Sequence, residues 1–189
     1  MRPIERAEVL DLGAYEQIRP HFRDRLIAQK KHRRISVGDH MTFIFENRDT
    51  VLLQIQEMLR TERITSESGI RHEIDTYNTL VPGDGELFAT LMIEYQDPDE
   101  RSEALAKLAD LSSHVRLVIG DRVAEAQFEA LPGEEESRLP AVNYLRFKVG
   151  EVAEGESSFR LEITHPFYAH AVELPSPLRR ELQSDLSEA

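Results

Sequence analysis

Three histidines stand at the ends of stretches with β-strand character, where side chains from different strands can meet. His40 and His114 each precede such a stretch, and His165 ends one. If the third strand runs antiparallel to the other two, all three imidazoles lie at one end of the sheet. Three neutral imidazoles and a water would form an open metal site of the catalytic type. The ordinary alternative is that they are loop residues satisfied by backbone hydrogen bonds.

The sequence Glu162-Ile-Thr-His165 has the glutamate and histidine spacing of carboxylate-bridged di-iron sites in helical bundles. Here the flanking apolar residues alternate with period two, and Pro166 favours an extended conformation at His165. Residues three apart on a strand point to opposite faces of the sheet, and the chain has no second copy of the motif. These observations exclude the di-iron interpretation. The common phosphate-loop, nucleophile-elbow and H-E-x-x-H motifs are also absent from the sequence.

A second candidate site is the polar junction Glu46-Asn47-Arg48-Asp49, between an apolar strand and the clearest helix of the sequence. In a structural interpretation Asn47 caps the helix, Asp49 lies at its positive end and Glu46 pairs with Arg48. In a functional interpretation Arg48 and the free helix amides hold an anion or a partner's carboxylate. The adjoining polar face of the helix would then be lined by Gln54, Glu57 and Arg60.

Charge is distributed unevenly along the chain. The formal net charge is -12, from 23 Lys and Arg against 35 Asp and Glu. This acidity opposes general binding to nucleic acid or anionic lipid. One segment is nevertheless basic, with Asp24 as its single acid and seven cations: Arg19, Arg23, Arg25, Lys30, Lys31, Arg33 and Arg34. The segment could bind an anion or nucleic acid, or it could be the solvated face of a helix balanced by the protein's own acids.

Cysteine is absent from the chain. This excludes a disulfide, a thiolate nucleophile, a cysteine zinc site and a cysteine-ligated iron-sulfur cluster. The start of the sequence lacks the apolar core and cleavage site of an export signal, and no apolar run approaches the roughly 18 residues of a membrane helix. We therefore predict a cytoplasmic protein that does not enter the membrane, and we predict no bound cofactor.

Hydrophobic periodicity predicts four helices in or near the first half of the chain. The apolar residues of the first stripe lie on both sides of Pro20, which predicts one helix kinked at this proline. Two further stripes predict the two helices of a helical hairpin that ends before Pro82-Gly83. Asp97-Pro98 begins a fourth helix, to about Leu111. The apolar residues of the first three stripes are Tyr15, Ile18, Phe22 and Leu26, then Val51, Leu52, Ile55, Met58 and Leu59, then Ile70, Ile74, Tyr77 and Val81.

Alternating runs, concentrated in the second half of the chain, predict strands joined by turns and an acidic loop at 132–137. The whole chain, 1–189, is predicted to be one α+β domain. It is helix-rich over 1–82 and strand-rich over 83–175, and a C-terminal helix spans 176–187. The N-terminal helices, including the helical hairpin, pack on a mostly antiparallel sheet of about six or seven strands.

The chain resembles the bacterial family catalogued as domain of unknown function 3501. The resemblance rests on Arg2-Pro-Ile-Glu-Arg6 and on the segment from Phe45 to Arg60, followed by Glu62-Arg63-Ile64 and Tyr77-Asn78. Members of the family are often encoded beside rubrerythrin-like proteins and iron-sulfur proteins of the heterodisulfide-reductase kind. The resemblance therefore implies a redox or peroxide-defence context, and it carries over no catalytic residue.

Together these observations predict a non-catalytic accessory or partner-binding protein of a cytoplasmic redox system. Its partner would be a rubrerythrin-like or iron-sulfur protein, and the chain could form a homodimer. The alternative is a metal-binding protein or metal-dependent enzyme that uses the strand-end histidines. A third hypothesis is an anion or nucleic-acid binder that uses the basic segment, which the net charge opposes.

Overall fold

A computed structural model describes residues 1–130, 139–152 and 158–187 of the chain. The acidic loop predicted at 132–137 lies outside these residues. Within them, no helix combines the length and the hydrophobicity that crossing a membrane requires.

Among the described residues, five α-helices form at apolar stripes, four of them behind a capping residue. Side chains of Asp11, Asn47, Ser66 and Asp97 accept hydrogen bonds from backbone N–H groups in the first turn of the four helices that follow them. The predicted passage of one helix through Pro20 is confirmed. The helices are α1 (Leu12–His32), α2 (Arg48–Thr61), α3 (Glu67–Asn78), α4 (Pro98–Lys107) and α5 (Ser176–Ser187).

In the described parts of the chain, eight strands form one sheet, in the order β1-β2-β3-β6-β5-β4-β7-β8, and every neighbouring pair is antiparallel. The predicted count of six or seven was too low, because every run with strand character pairs, including the four-residue β1. The α+β class is confirmed. The strands are β1 (Arg34–Val37), β2 (Met41–Glu46), β3 (Glu86–Ile93), β4 (Val115–Ile119), β5 (Arg122–Glu129), β6 (Val142–Lys148), β7 (Phe159–His165) and β8 (Tyr168–Glu173).

The sheet curls until its two edge strands, β1 and β8, approach each other and nearly close a barrel, a shape the sequence did not predict. Tyr168 of β8 bridges the seam. Its buried hydroxyl donates to the carbonyl oxygen of Val37 over 2.8 Å and accepts from the backbone N–H of His40 over 2.9 Å. Side-chain hydrogen bonds thus hold the seam together.

Two hydrophobic clusters lie on opposite faces of the curled sheet. The inner cluster fills the barrel and takes in leucines of α4, α5 and the α4–β4 connection. The outer cluster lies between the sheet and the α2–α3 hairpin and includes Ile4 and Val9 of the N-terminal segment. The inner core fixes both the α4–β4 connection and the strands. It therefore holds the residues at the end of the barrel where this connection enters β4 in defined positions.

Candidate functional site

Asp110, His114 and His165 converge at one end of the barrel. Each offers one ligand atom, and these three atoms all lie within 4.8 Å of one another. The two imidazoles meet edge to face, with ring centroids 5.0 Å apart. Two histidines and one carboxylate are a donor set that transition metals use in proteins.

The antiparallel pairing of β4 with β7 explains why the two histidines meet. His114 directly precedes β4 and His165 is the last residue of β7, so both stand where the two strands meet. The backbone N–H of Thr164 donates to the carbonyl oxygen of His114 over 2.8 Å, which extends the ladder to this point. The sequence prediction required the two strands to run in opposite directions for their histidines to meet, and β4 and β7 do so.

Asp110 reaches the histidines from the connection between α4 and β4. Leu108 and Leu111 on either side of it are fully buried in the barrel core. A single 3₁₀ turn, Leu111–Ser113, then carries the chain to His114. Anchoring by the two leucines leaves the Asp110 side chain exposed at the rim, facing both rings.

Hydrogen bonds define the protonation of the His165 ring. The backbone N–H of Phe167 donates to Nδ1 over 3.1 Å, so the proton of a neutral ring is on Nε2. Nε2 lies 2.8 Å from Asp110 Oδ1 and donates to it. This hydrogen bond is the largest cause of the lowered pKa of Asp110, and His114, with Nε2 3.3 Å from Oδ2, lowers that pKa further. Asp110 is therefore a carboxylate at neutral pH.

His40, the third histidine of the sequence prediction, is not part of this cluster. Its ring stacks on Tyr95, with centroids 4.0 Å apart, and its Nδ1 lies 3.2 Å from the carbonyl oxygen of Glu94. Asp110 takes the place that the sequence prediction gave to His40. Asp110 is close to His114 in the sequence, but the 3₁₀ turn between them has no periodic pattern that predicts their contact.

At the polar junction, Asn47 caps α2 as predicted. Its side chain accepts from the backbone N–H of Thr50 over 3.0 Å, and the Thr50 hydroxyl accepts from the backbone N–H of Asn47. The expected Glu46–Arg48 pair does not form. Arg48 instead donates to the Glu8 carboxylate and to the carbonyl oxygen of Arg2, and thereby holds the N-terminal segment. The Arg48 hydrogen bond is the largest cause that lowers the pKa of Glu8 to about 2.

Glu46 belongs to a separate groove on the outer face of the sheet. Its carboxylate accepts from the Thr90 hydroxyl over 2.9 Å and lies 3.4 Å from the Lys30 ammonium. Gln54 lines the same groove, which encloses about 230 Å³. Asn47, Arg48 and Asp49 line a different cleft of about 540 Å³ between the chain start and α5. These five of the predicted binding residues are therefore divided between two places.

Helix α1 covers the remaining predicted binding residues, Glu57 and Arg60. Glu57 accepts two hydrogen bonds from Arg19, over 2.7 and 2.9 Å, and one from the Tyr15 hydroxyl over 2.6 Å. The Arg19 contact is the largest cause that lowers the pKa of Glu57 to about 2. Arg60 donates to Glu16. Both side chains thus fasten α1 to α2.

The basic segment is largely balanced by acids of the same chain, as its structural interpretation predicts. Within the part of the chain that the structure describes, six of the seven cations lie within 4.0 Å of a carboxylate oxygen: Arg19, Arg23, Arg25, Lys30, Arg33 and Arg34. The segment therefore offers little free charge to a nucleic acid.

Arg33 is the most buried of these cations, with a side chain that has no exposed surface. It donates to the carbonyl oxygen of Phe45 over 2.8 Å and to the nearly buried carboxylate of Asp185 in α5. The more exposed carboxylate of Glu181 lies 3.3 Å away. This contact fastens the C-terminal helix to the junction of α1 and β1, and no local pattern in the sequence indicates it.

Comparison with known proteins decides the family. Residues 3–186 match the model of a family described as proteins of unknown function, DUF3501. The chain belongs to the DUF3501 family. The predicted resemblance is thereby confirmed over nearly the whole chain. The search of curated proteins finds no match for this DUF3501 chain.

The fold of the DUF3501 chain has a counterpart among solved structures. A protein of unknown function from Burkholderia pseudomallei superposes with a TM-score of 0.91 at 33% sequence identity. The match covers 98% of this chain and 100% of that one. The neighbour supports the architecture, and the function of the site has to be argued from its own geometry.

Proposed function

We propose that this protein binds a divalent transition-metal ion through Asp110, His114 and His165. The observation that carries the proposal is the convergence of three ligand atoms within 4.8 Å at the end of the barrel. The three residues come from two separate parts of the sequence and are held by the pairing of β4 with β7 and by the buried leucines of the α4–β4 connection.

The donor types favour particular metals. Imidazole nitrogens suit zinc, iron, nickel and copper, whereas magnesium and calcium prefer sets of oxygen ligands. Three protein ligands leave at least one coordination position for water or another molecule. Asp110 is exposed, with 68% of its side-chain surface accessible, so this position would face solvent. The arrangement suits a site that exchanges ligands better than a closed structural site.

The two histidine–carboxylate distances are already close to those between ligands of one metal ion, and all three ligand atoms lie within 4.8 Å of one another. Metal–ligand bonds of about 2.0 to 2.1 Å in a tetrahedron place neighbouring ligand atoms about 3.3 Å apart. His114 Nε2 and Asp110 Oδ2 are 3.3 Å apart, and His165 Nε2 and Asp110 Oδ1 are 2.8 Å apart. A bound metal would replace the two hydrogen bonds to Asp110. The competing interpretation is that these hydrogen bonds are purely structural and that the carboxylate–histidine cluster binds no metal.

Isothermal titration separates the two interpretations. We expect Zn²⁺ to bind the untagged protein with one ion per chain, and Mg²⁺ to give no heat. His114→Ala and His165→Ala should each weaken Zn²⁺ binding at least tenfold, as should Asp110→Asn. His40→Ala is the matched control, because His40 lies outside the cluster, and it should bind like the wild type. Equal binding by the wild type and the cluster variants would refute the proposal.

We also propose that the protein is cytoplasmic, because a sequence without cysteine fits a reducing compartment. An accessory role in a redox or peroxide-defence system, with a rubrerythrin-like or iron-sulfur partner, stays a prediction from the family resemblance. A set of two histidines and one carboxylate suits iron as well as zinc, so a metal site is compatible with that role.

A further inference from the structure

The hydrogen bond between Phe167 and His165 conflicts with metal ligation. His165 is almost fully buried, at 4% exposure, and its Nε2 faces Asp110 while its Nδ1 accepts from the backbone N–H of Phe167. A neutral imidazole that binds a metal through Nε2 carries its proton on Nδ1. That N–H would then point at the N–H of Phe167, and two donors cannot share a hydrogen bond.

His114 faces no such conflict. Its Nδ1 lies 3.4 Å from the hydroxyl of Thr164, and a hydroxyl can either donate or accept. The Thr164 hydroxyl can therefore rotate to suit either tautomer of His114. A backbone N–H can only donate, so the His165 partner has to move away. The conflict is specific to one of the two histidines.

We propose that metal binding at this centre breaks the Phe167–His165 hydrogen bond and resets the turn between β7 and β8. The inference rests on the proposed function. The turn consists of Pro166 and Phe167, because His165 and Tyr168 pair as the last rung of the two strands. When the metal binds, Nε2 loses its proton and Nδ1 gains one. A carbonyl oxygen or a water must then take the place of the Phe167 N–H, as the second nitrogen of metal-ligating histidines requires.

The hydrogen bonds of Tyr168, the residue that follows the turn, limit how far the rearrangement extends. Tyr168 is fixed by its two hydrogen bonds across the barrel seam, to Val37 and His40. Phe167 is less constrained, because its side chain is 45% exposed and the ammonium of the flexible Lys107 side chain lies 4.9 Å from its ring centroid. Metal binding at the cluster therefore changes the position of Phe167, an exposed aromatic residue.

Nuclear magnetic resonance of protein with ¹⁵N-labelled histidine and phenylalanine tests the inference, with Zn²⁺ as the probe. Without metal, long-range proton–nitrogen spectra should show His165 protonated on Nε2. With one equivalent of Zn²⁺, the proton should be on Nδ1. Hydrogen exchange of the Phe167 amide should become at least tenfold faster, while that of the Tyr168 amide, measured on uniformly labelled protein, should stay within twofold.

His165→Asn provides the matched control. Its shorter side chain places an amide oxygen near the position of Nδ1 and nothing at Nε2, so it keeps an acceptor for Phe167 and loses the ligand. Its Phe167 amide should stay protected when Zn²⁺ is added. Saturable binding of Zn²⁺ that leaves the His165 tautomer and Phe167 exchange unchanged would overturn this inference alone. Absence of saturable Zn²⁺ binding to the wild type would overturn the proposed function and this inference with it.

Discussion

Replacing Asp185 of α5 by alanine should destabilise the protein strongly. The substitution removes the main counterion of Arg33, whose side chain has no exposed surface. Removing one partner of a buried ion pair costs about 3 to 5 kcal/mol. The Glu181 carboxylate and the carbonyl oxygen of Phe45 still face Arg33 after the substitution, so the cost should lie near the lower end of this range. For a chain of this size each kcal/mol lowers Tm by about 2 to 4 °C, so we expect a fall of about 6 to 12 °C.

Thermal and urea unfolding, followed by circular dichroism, measure the effect. Glu181→Ala is the matched control, since Glu181 also lies near Arg33 but is 41% exposed. It should cost less than about 1 kcal/mol, as exposed pairs do. The double variant R33M/D185L should recover most of the lost stability, because apolar side chains of similar volume often replace a buried ion pair without loss. A cost for Asp185→Ala as small as that for Glu181→Ala would refute the reasoning.

Three further predictions concern the junction, the α1–α2 contact and the basic segment. Arg48→Ala should cost about 1 to 3 kcal/mol in urea unfolding, because Arg48 makes charge-assisted hydrogen bonds to the N-terminal segment; a cost no greater than that of an exposed pair would contradict this. Acidification should remove the stability that Glu57 contributes, since its pKa is lowered from 4.5 to about 2 in the folded state; this stability is complete above about pH 5 and is lost as the pH falls towards 2. Glu57→Gln should therefore be less stable than the wild type at pH 7 and match it near pH 2, and an equal difference at both pH values would refute the assignment. Fluorescence anisotropy at low salt should detect no binding of duplex DNA, and tight, steeply salt-dependent binding would show that the acids do not neutralise the basic segment.

The elements that sequence reasoning predicted are those encoded by local patterns. Helix α2 follows from apolar residues at helical spacing behind the Asn47 cap, and the strands follow from alternation between turn residues. The meeting of His114 with His165 follows from strand direction once β4 and β7 are paired. Each of these predictions uses residues within one element or one pairing.

The features that the sequence did not reveal depend on contacts between distant parts of the chain. The burial of Arg33 requires α5, about 150 residues later, and the barrel seam requires the Tyr168 hydroxyl to reach β1. Asp110 joins the histidines because two leucines fix a short turn whose conformation no periodicity encodes. Such contacts depend on how the elements are arranged in three dimensions.

The location of a bound metal tests the central claim most directly. An anomalous difference map from crystals soaked in Zn²⁺, recorded at the zinc absorption edge, should show one peak at the end of the barrel. The peak should lie about 2.0 to 2.2 Å from a ring nitrogen of His114, from Nε2 of His165 and from a carboxylate oxygen of Asp110. A map with no peak between these three residues, under conditions that place zinc elsewhere on the protein, would contradict the assignment of a metal centre.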